Sequence, residues 1–206
     1  EQWADLIRPT HVFIDDDRVE FLPADKLLGL GTYETVEKIR DIFGDDQVRS
    51  ATIGPAGEKM VRFGNVTNDG RQAGRTGHGA VWGSKKLKAV AVRGTYGVTV
   101  ADPETLLKMS FDITESAQGP HTEKYRVYGT STNMLNMNKL GLLPTRNYQE
   151  GVFEFAELVS GEYLDEHHKV KVIACAQCPI ACEQMSLVKK GPFAGAMTGI
   201  EYECLQ

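Results

Sequence analysis

The stretch His11-Val12-Phe13-Ile14-Asp15-Asp16-Asp17-Arg18-Val19-Glu20-Phe21-Leu22 decides how the chain starts to fold. Two runs of apolar strand-formers flank a polar turn, which is the pattern of a β-hairpin. The next segment reads as a helix of about 12 residues. Thr32 reads as its N-cap, Val36, Ile39 and Phe43 share one face, and Gly44 ends it. Short strands are expected around residues 48–53, 60–66 and 87–92, so the first part of the chain is α+β.

The character changes after Gly94. Asp102-Pro103 sets a capping carboxylate before a proline at the first helical position, and Leu106, Leu107 and Phe111 give the helix that follows an apolar stripe. A second helix is expected from about Ser131, carrying Met134, Leu135 and Met137, with Gly141 as its C-cap and Pro144 just beyond. From there to the cysteines the pattern is mixed and helix-leaning. A domain boundary is expected near residue 97, and there are no internal repeats or low-complexity segments.

Composition sets outer bounds. In 206 residues, 41% are hydrophobic and 25% charged, as in ordinary globular domains. No apolar run approaches the roughly 18 residues of a membrane helix, and no signal pattern is evident. The net charge of −5 argues against a general nucleic-acid binder. All four cysteines fall after residue 174, whereas a disulfide framework would distribute them; clustered thiols in a reducing, cytoplasmic setting point to metal. The chain opens on Glu1 and closes on Glu203-Cys204-Leu205-Gln206 without a helix stop, so it is expected to be an internal piece of something longer.

Between Lys59 and Arg93 lie eight basic residues, one acid (Asp69) and six glycines. Glycines let backbone N–H groups approach an anion, and arginine forks grip phosphate oxygens. The segment Asp69-Gly-Arg-Gln-Ala-Gly-Arg-Thr-Gly-His-Gly79 therefore reads as a cradle for a phosphorylated ligand. It lacks the Gly-Lys-Ser/Thr of a Walker loop and the spacing of a dinucleotide fingerprint. Composition leaves open a plain glycine-rich loop with a solvated basic surface, on which Lys85, Lys86 and Lys88 would simply face water.

Cys175-Ala-Gln-Cys178-Pro-Ile-Ala-Cys182 carries the sharpest chemical signal. Thiolates at these separations can converge on an iron–sulfur cubane. Zinc is the main rival, although four-cysteine zinc sites usually come as two separated pairs. A four-iron cluster needs a fourth ligand, and spacing alone nominates Cys204.

With both features in view, the chain resembles the tungsten-pterin aldehyde:ferredoxin oxidoreductases. The resemblance runs through nearly the whole chain and rests on Ile53-Gly-Pro-Ala-Gly-Glu58, Asn68-Asp-Gly70, Ala73-Gly-Arg75, Gly79-Ala-Val-Trp-Gly-Ser-Lys85, Leu87-Lys-Ala-Val-Ala-Val92, Tyr128-Gly-Thr130, Cys175-x2-Cys178-Pro-x2-Cys182 and Glu201-Tyr-Glu203. It implies that residues 1–97 are the second half of a β-rich pterin-base domain, and that residues 98–206 begin a mainly helical domain. It assigns pterin contacts to Arg71, Gln72, Gly74 and Arg75, with Asp69 and His78 left structural. Here Gly70 and Gln72 replace the family's usual histidine and first alanine, so Gln72 could serve only through its backbone. Cluster ligation maps onto Cys175, Cys178 and Cys182. The fourth ligand is implied to lie downstream, which makes Cys204 a buried thiol. Glu203 matches a carboxylate beside the metal, where an apolar pocket would raise its pKa and make it a general base. Tyr202 matches its hydroxyl partner.

The resemblance further implies a [4Fe-4S] cluster, tungsten (or molybdenum) held by two pterins, and Mg bridging the pterin phosphates. Its implied partners are an aldehyde substrate, ferredoxin or an electron-transfer subunit, and further copies in an oligomer. The expected reaction is aldehyde oxidation to the carboxylic acid. Two alternatives stand beside it: an aromatic acyl-CoA reductase subunit of the benzoyl-CoA type, and a zinc-bearing binding module.

Overall fold

The computed structural model describes residues 8–205, with side chains as far as residue 203. The chain forms two compact units, Glu1–Thr99 and Val100–Gln206.

The hairpin forms as its pattern requires. Strands β1 (Thr10–Asp15) and β2 (Arg18–Pro23) pair antiparallel from Thr10↔Pro23 to Asp15↔Arg18. The turn puts Asp16 in the left-handed region, which aspartate enters more readily than most residues, and its carboxylate is held from a distant segment, accepting from the Thr95 N–H at 2.6 Å and hydroxyl at 2.7 Å. Helix α1 (Thr32–Phe43), β3 (Arg49–Thr52), α2 (Pro55–Glu58), β4 (Val66–Asn68), β5 (Arg71–Ala73), α3 (His78–Ser84) and β6 (Leu87–Arg93) follow. The six strands make one sheet in the order β2-β1-β6-β3-β4-β5. Only β1 and β6 run parallel, and the intervening elements supply the long crossover such a pair needs. Ile39 of α1 buries against Phe13, Leu27, Val48, Ala89 and Ala91, and Phe13 stacks on Phe43 at 3.8 Å between ring centroids.

Two local expectations change. The N-cap of α1 is Gly31 rather than Thr32: the Glu34 carboxylate reaches back to accept the Gly31 N–H at 2.9 Å, which is the glutamate half of a capping box, since glycine has no side chain to complete it. The strand expected over 60–66 starts only at Val66. Pro55 seeds the short helix α2, Met60 breaks out at φ 56°, and Phe63 is 80% exposed, so no buried alternation exists to drive pairing there.

In the second unit, α4 (Pro103–Gln118) begins as expected, with Asp102 accepting the Thr105 N–H at 3.0 Å. Its apolar stripe is not a core face: Leu106, Leu107 and Phe111 are 49%, 59% and 66% exposed. Helices α5 (Glu123–Tyr128), α6 (Met134–Lys139) and α7 (Gly161–His167) follow, and a small cluster of Met134, Leu143 and Ala156 is packed by Leu135, Met137, Phe153, Val159 and Tyr202. A 3-10 turn over Thr130–Asn133 precedes α6, and Gly141 takes a left-handed φ of 70° just past its end. Between Pro144 and the cysteines the helix-leaning expectation holds at α7 and fails at the strand that follows it. Strands β7 (Lys169–Ile173), β8 (Glu183–Leu187) and β9 (Met197–Ile200) form an antiparallel sheet in chain order. The alternation Lys169-Val-Lys-Val-Ile173 carries the strand signal, but it is short and flanked by polar residues. Among the described residues, no helix is long and apolar enough to cross a membrane.

Candidate functional site

In the first unit the expected anion-binding residues lie at one edge of the sheet. Arg71 and Gln72 sit on the edge strand β5, and Gly74 and Arg75 lie in the turn leading to α3. Gln72 lies opposite Thr67 in the β4–β5 ladder, and its side-chain oxygen accepts from the Thr67 hydroxyl at 2.8 Å and from Asn65 Nδ2 at 3.3 Å. That side chain is a sheet-bracing group, so the substitution at this position is accommodated locally. Asp69 lies 3.8 Å from Arg40 and 4.0 Å from Arg49, while His78 bonds Thr76 at 3.1 Å.

The glycine loop is less open than its composition suggests. The Gly77 N–H goes to the Gly74 carbonyl at 3.3 Å, and the Gly79 N–H to the Gly64 carbonyl at 2.8 Å. Gly77 caps α3 with φ 72°, and a Cβ there would overlap the Arg62 carbonyl oxygen. These glycines serve close backbone packing, which leaves the arginine side chains as the groups to meet an anion. Arg75 is exposed and Arg71 half-buried.

Beside this edge lies an open cleft of about 410 Å³. Its walls are the first residues of α1 and α2, the turn at Phe63-Gly64-Asn65, Thr67 and Gln72. Behind those walls sits Lys88, which is 1% exposed rather than solvated as its basic neighbourhood suggested. Its ammonium donates to the Ile53 carbonyl at 2.7 Å, the Leu30 carbonyl at 3.0 Å and the Glu58 carboxylate at 2.5 Å. Glu58 also accepts the Gly29 N–H at 3.0 Å. One buried cation thereby ties together the two glycine-bearing segments that wall the cleft. The sequence held a signal for this: a single lysine inside the apolar run Leu87-Lys-Ala-Val-Ala-Val92.

In the second unit the cysteine run is the loop of the β7–β8 hairpin, since Ile173 pairs with Glu183 across it. The Cys178 N–H closes a turn onto the Cys175 carbonyl at 3.0 Å, and Gln177 and Ala181 take left-handed φ values of 59° and 54°. The loop doubles back on itself and presents three free thiols, that of Cys175 exposed and those of Cys178 and Cys182 half-buried. Burial pushes the Cys182 thiol up from its ordinary range, and the charges of Glu201, Cys175 and Cys178 push it further. A cationic cluster is the kind of group that offsets such crowding of negative charge. Among the described residues no three His, Cys, Asp or Glu side chains gather at the spacing of a single metal ion. The donor type and the shared loop fit three corners of an iron–sulfur cluster; the side chain of Cys204 lies outside the described residues.

The β8–β9 ladder makes a connection absent from the sequence reading. Gln184 pairs with Ile200 and Met185 with Gly199, so the strand that begins just after Cys182 runs beside the one that leads into the 3-10 turn Tyr202–Leu205. Tyr202 packs partly buried against the Met134 cluster, and its N–H donates to the Thr130 hydroxyl at 2.8 Å. Glu203 is exposed, so the apolar pocket expected around it is not formed by the described residues. Gly129, at φ 66°, packs against the loop so closely that a Cβ would lie 2.7 Å from the Cys182 carbonyl oxygen. The motif Tyr128-Gly-Thr130 is thus a brace behind the cysteine loop.

Comparison with known proteins bears on both units. Residues 6–94 match the family model described as the aldehyde ferredoxin oxidoreductase N-terminal domain, and residues 107–206 match that for domains 2 and 3 of the same family. The tungsten-containing aldehyde ferredoxin oxidoreductase of Thermococcus kodakarensis is 40% identical over 204 residues, which cover 96% of this chain and 33% of that protein. The enzyme of the same name from Pyrococcus horikoshii is 40% identical over 201 residues, or 95% of this chain and 32% of that protein. Among solved structures, the active site complex BamBC of benzoyl coenzyme A reductase, bound to 1,5-dienoyl-CoA, matches with a TM-score of 0.67 and 27% identity, over 94% of this chain and 31% of that one. The chain spans about a third of the length of the curated relatives it matches. It belongs to the aldehyde ferredoxin oxidoreductase family.

Proposed function

We propose that this chain supplies the cofactor edge and the cluster loop of an enzyme that oxidises aldehydes to carboxylic acids. The observation that supports the reading is a cysteine run on the β7–β8 hairpin loop, next in the chain to a strand pair that leads into Tyr202-Glu203, in a chain 40% identical to a tungsten-containing aldehyde ferredoxin oxidoreductase. When bound, a tungsten centre held by two pterins would take two electrons from the aldehyde, and a [4Fe-4S] cluster would pass them to ferredoxin. Arg71 and Arg75 would hold pterin phosphates by charge-assisted hydrogen bonds, with the backbone of Gln72 and Gly74 against the cofactor; Mg bridging those phosphates belongs to the same proposal. Cys175, Cys178 and Cys182 would hold three corners of the cluster as thiolates, with the fourth ligand supplied further along the protein. Glu203 would accept a proton from the water that adds to the aldehyde, and Tyr202 would donate a hydrogen bond to the aldehyde oxygen. The exposed Glu203 gains dry surroundings only when covered.

A second reading, reduction of an aromatic acyl-CoA, draws on the match to the benzoyl coenzyme A reductase complex. Retention of Glu201-Tyr-Glu203, a carboxylate and hydroxyl set suited to aldehydes, favours the first. Metal analysis and assay of the full-length enzyme decide between them. Tungsten together with iron, and acceptor reduction by aldehydes, is the expected result. Reduction of benzoyl-CoA without aldehyde turnover would transfer the protein to the second reading, and zinc without iron or tungsten would refute both.

A further inference from the structure

Lys88 stands behind the cleft of the first unit and is not among the residues that line it. Its ammonium has three protons to donate, and the protein takes all of them. They go to the Leu30 carbonyl at 3.0 Å, the Ile53 carbonyl at 2.7 Å and the Glu58 carboxylate at 2.5 Å. Each acceptor adjoins a wall of the cleft. Leu30 precedes Gly31 and Thr32, Ile53 precedes Gly54, and Glu58 is the last residue of α2, whose Pro55, Ala56 and Gly57 continue that wall. Ile53 is also tied to β6 through its own N–H, which donates to the Lys88 carbonyl at 3.0 Å. Leu30 lies in no strand, so the ammonium is what joins its wall to the sheet.

The same frame supports the arginine turn. A Cβ on Gly83 would lie 1.9 Å from the Gly57 carbonyl oxygen, and one on Gly57 would lie 3.0 Å from the Gly79 carbonyl oxygen. Helix α2 therefore rests backbone to backbone on α3, which begins three residues after Arg75. We propose that Lys88 is a positioning residue for the cofactor edge, holding Gly31-Thr32 and Gly54–Gly57 at the separation with which the cleft retains a pterin cofactor. The inference rests on the proposed binding of that cofactor along this edge. Charge-assisted bonds out of reach of water suit the task, because they fix the glycine-bearing backbone that no side chain of its own can lock.

The test follows loss of tungsten and pterin from the full-length holoenzyme during dialysis, beside its urea unfolding midpoint. The variants are Lys88→Met, the double variant Lys88→Met/Glu58→Leu, Glu58→Gln, and Ile39→Ala in the core. Lys88→Met should release cofactor about tenfold faster, the scale seen when a group that orients ligand-holding residues is removed. The double variant should regain much of the unfolding midpoint, since an apolar pair replaces a buried ion pair well, yet keep the fast release because both carbonyls stay untied. Glu58→Gln leaves Lys88 on both carbonyls, and Ile39→Ala lies away from the cleft. Both should unfold more readily and still release cofactor at the wild-type rate. Should the single lysine variant fail to fold, the double variant carries the comparison. Release that simply follows the unfolding midpoint across the variants overturns the inference, as does wild-type release from the double variant. A wild type that holds neither tungsten nor pterin would instead overturn the cofactor reading beneath it.

Discussion

In the first unit, Phe13, Leu27, Ile39, Val48, Ala89 and Ala91 close around one core, and the candidate cofactor residues stand on the edge of the sheet that covers it. In the second, Met134, Leu143 and Ala156 make a much smaller cluster, no residue of α4 is buried, and the cysteines ride on a hairpin loop backed by Gly129 and held by the Gln118 side-chain amide, which donates to the Pro179 carbonyl at 2.5 Å. Burial of apolar area, at about 25 cal/mol per Å², stabilises the first directly. The second depends more on caps, turns and polar contacts, each contributing only about 1 kcal/mol. A preformed edge suits a large rigid cofactor, whereas a loop of free thiols gains its order when metal binding adds its own free energy. The contrast can be broken or sharpened by experiment.

The largest effect is expected at the buried cation. Lys88→Met leaves the Glu58 carboxylate and two carbonyls without their partner and should cost about 3–5 kcal/mol. Joining it with Glu58→Leu should recover most of that loss. Trp82, on α3, makes fluorescence-monitored urea unfolding a reporter for this unit. A single-variant cost below about 1 kcal/mol would mean the pair does not hold the cleft walls.

Next comes a paired truncation. Ile39→Ala, at a position closed to solvent, should cost about 2–5 kcal/mol. Leu107→Ala, on the exposed stripe of α4, should stay within about 0.5 kcal/mol when amide exchange of the helix is compared with wild type. Equal costs would erase the difference between the units.

Glycine substitutions give a smaller contrast. Gly77 and Gly141 both take left-handed φ values, 72° and 70°. Alanine at 141 has open space and should cost only the backbone strain of about 1–2 kcal/mol. Alanine at 77 meets the Arg62 carbonyl as well, so it should cost more and loosen the turn before α3 in an exchange experiment.

The smallest effect is a pH slope. Burial lowers the pKa of His11 from its ordinary 6.5, so the folded state favours the neutral ring. Its contribution to stability is fully present above pH 6.5 and is lost as the pH falls through that value towards the lowered one. Trp82 fluorescence should report the loss in the first unit, and His11→Leu should flatten it.

Much of this architecture was legible in the residues. The hairpin announced itself by two strand-forming runs around Asp15-Asp16-Asp17-Arg18, and Gly44 and Asp102-Pro103 marked helix ends through local chemistry that needs no distant partner. The strand expected at 60–66 and the N-cap expected at Thr32 went wrong where a proline, a glycine and one reaching glutamate outweighed propensity. The β7–β9 sheet escaped because its strands are short and half polar, and their pairing is long-range. Lys88 was misread because charge counting along a segment cannot distinguish a solvated lysine from one enclosed by carbonyls contributed by residues 30 and 53.

The sequence by itself determined the chemistry on offer: three closely spaced thiols, arginines among glycines, and a carboxylate beside a tyrosine, together with the family that combines them. Such features are local, and spacing along the chain preserves them. Only the tertiary structure decided which of them meet. Strand pairing set β9 beside the strand that leaves the cysteine loop, the Gly129 backbone packed against the Cys182 carbonyl, and the closing sheet took Lys88 out of water. Those outcomes depend on register and burial between distant segments, and burial decides whether a charge is screened by water or felt by its neighbour.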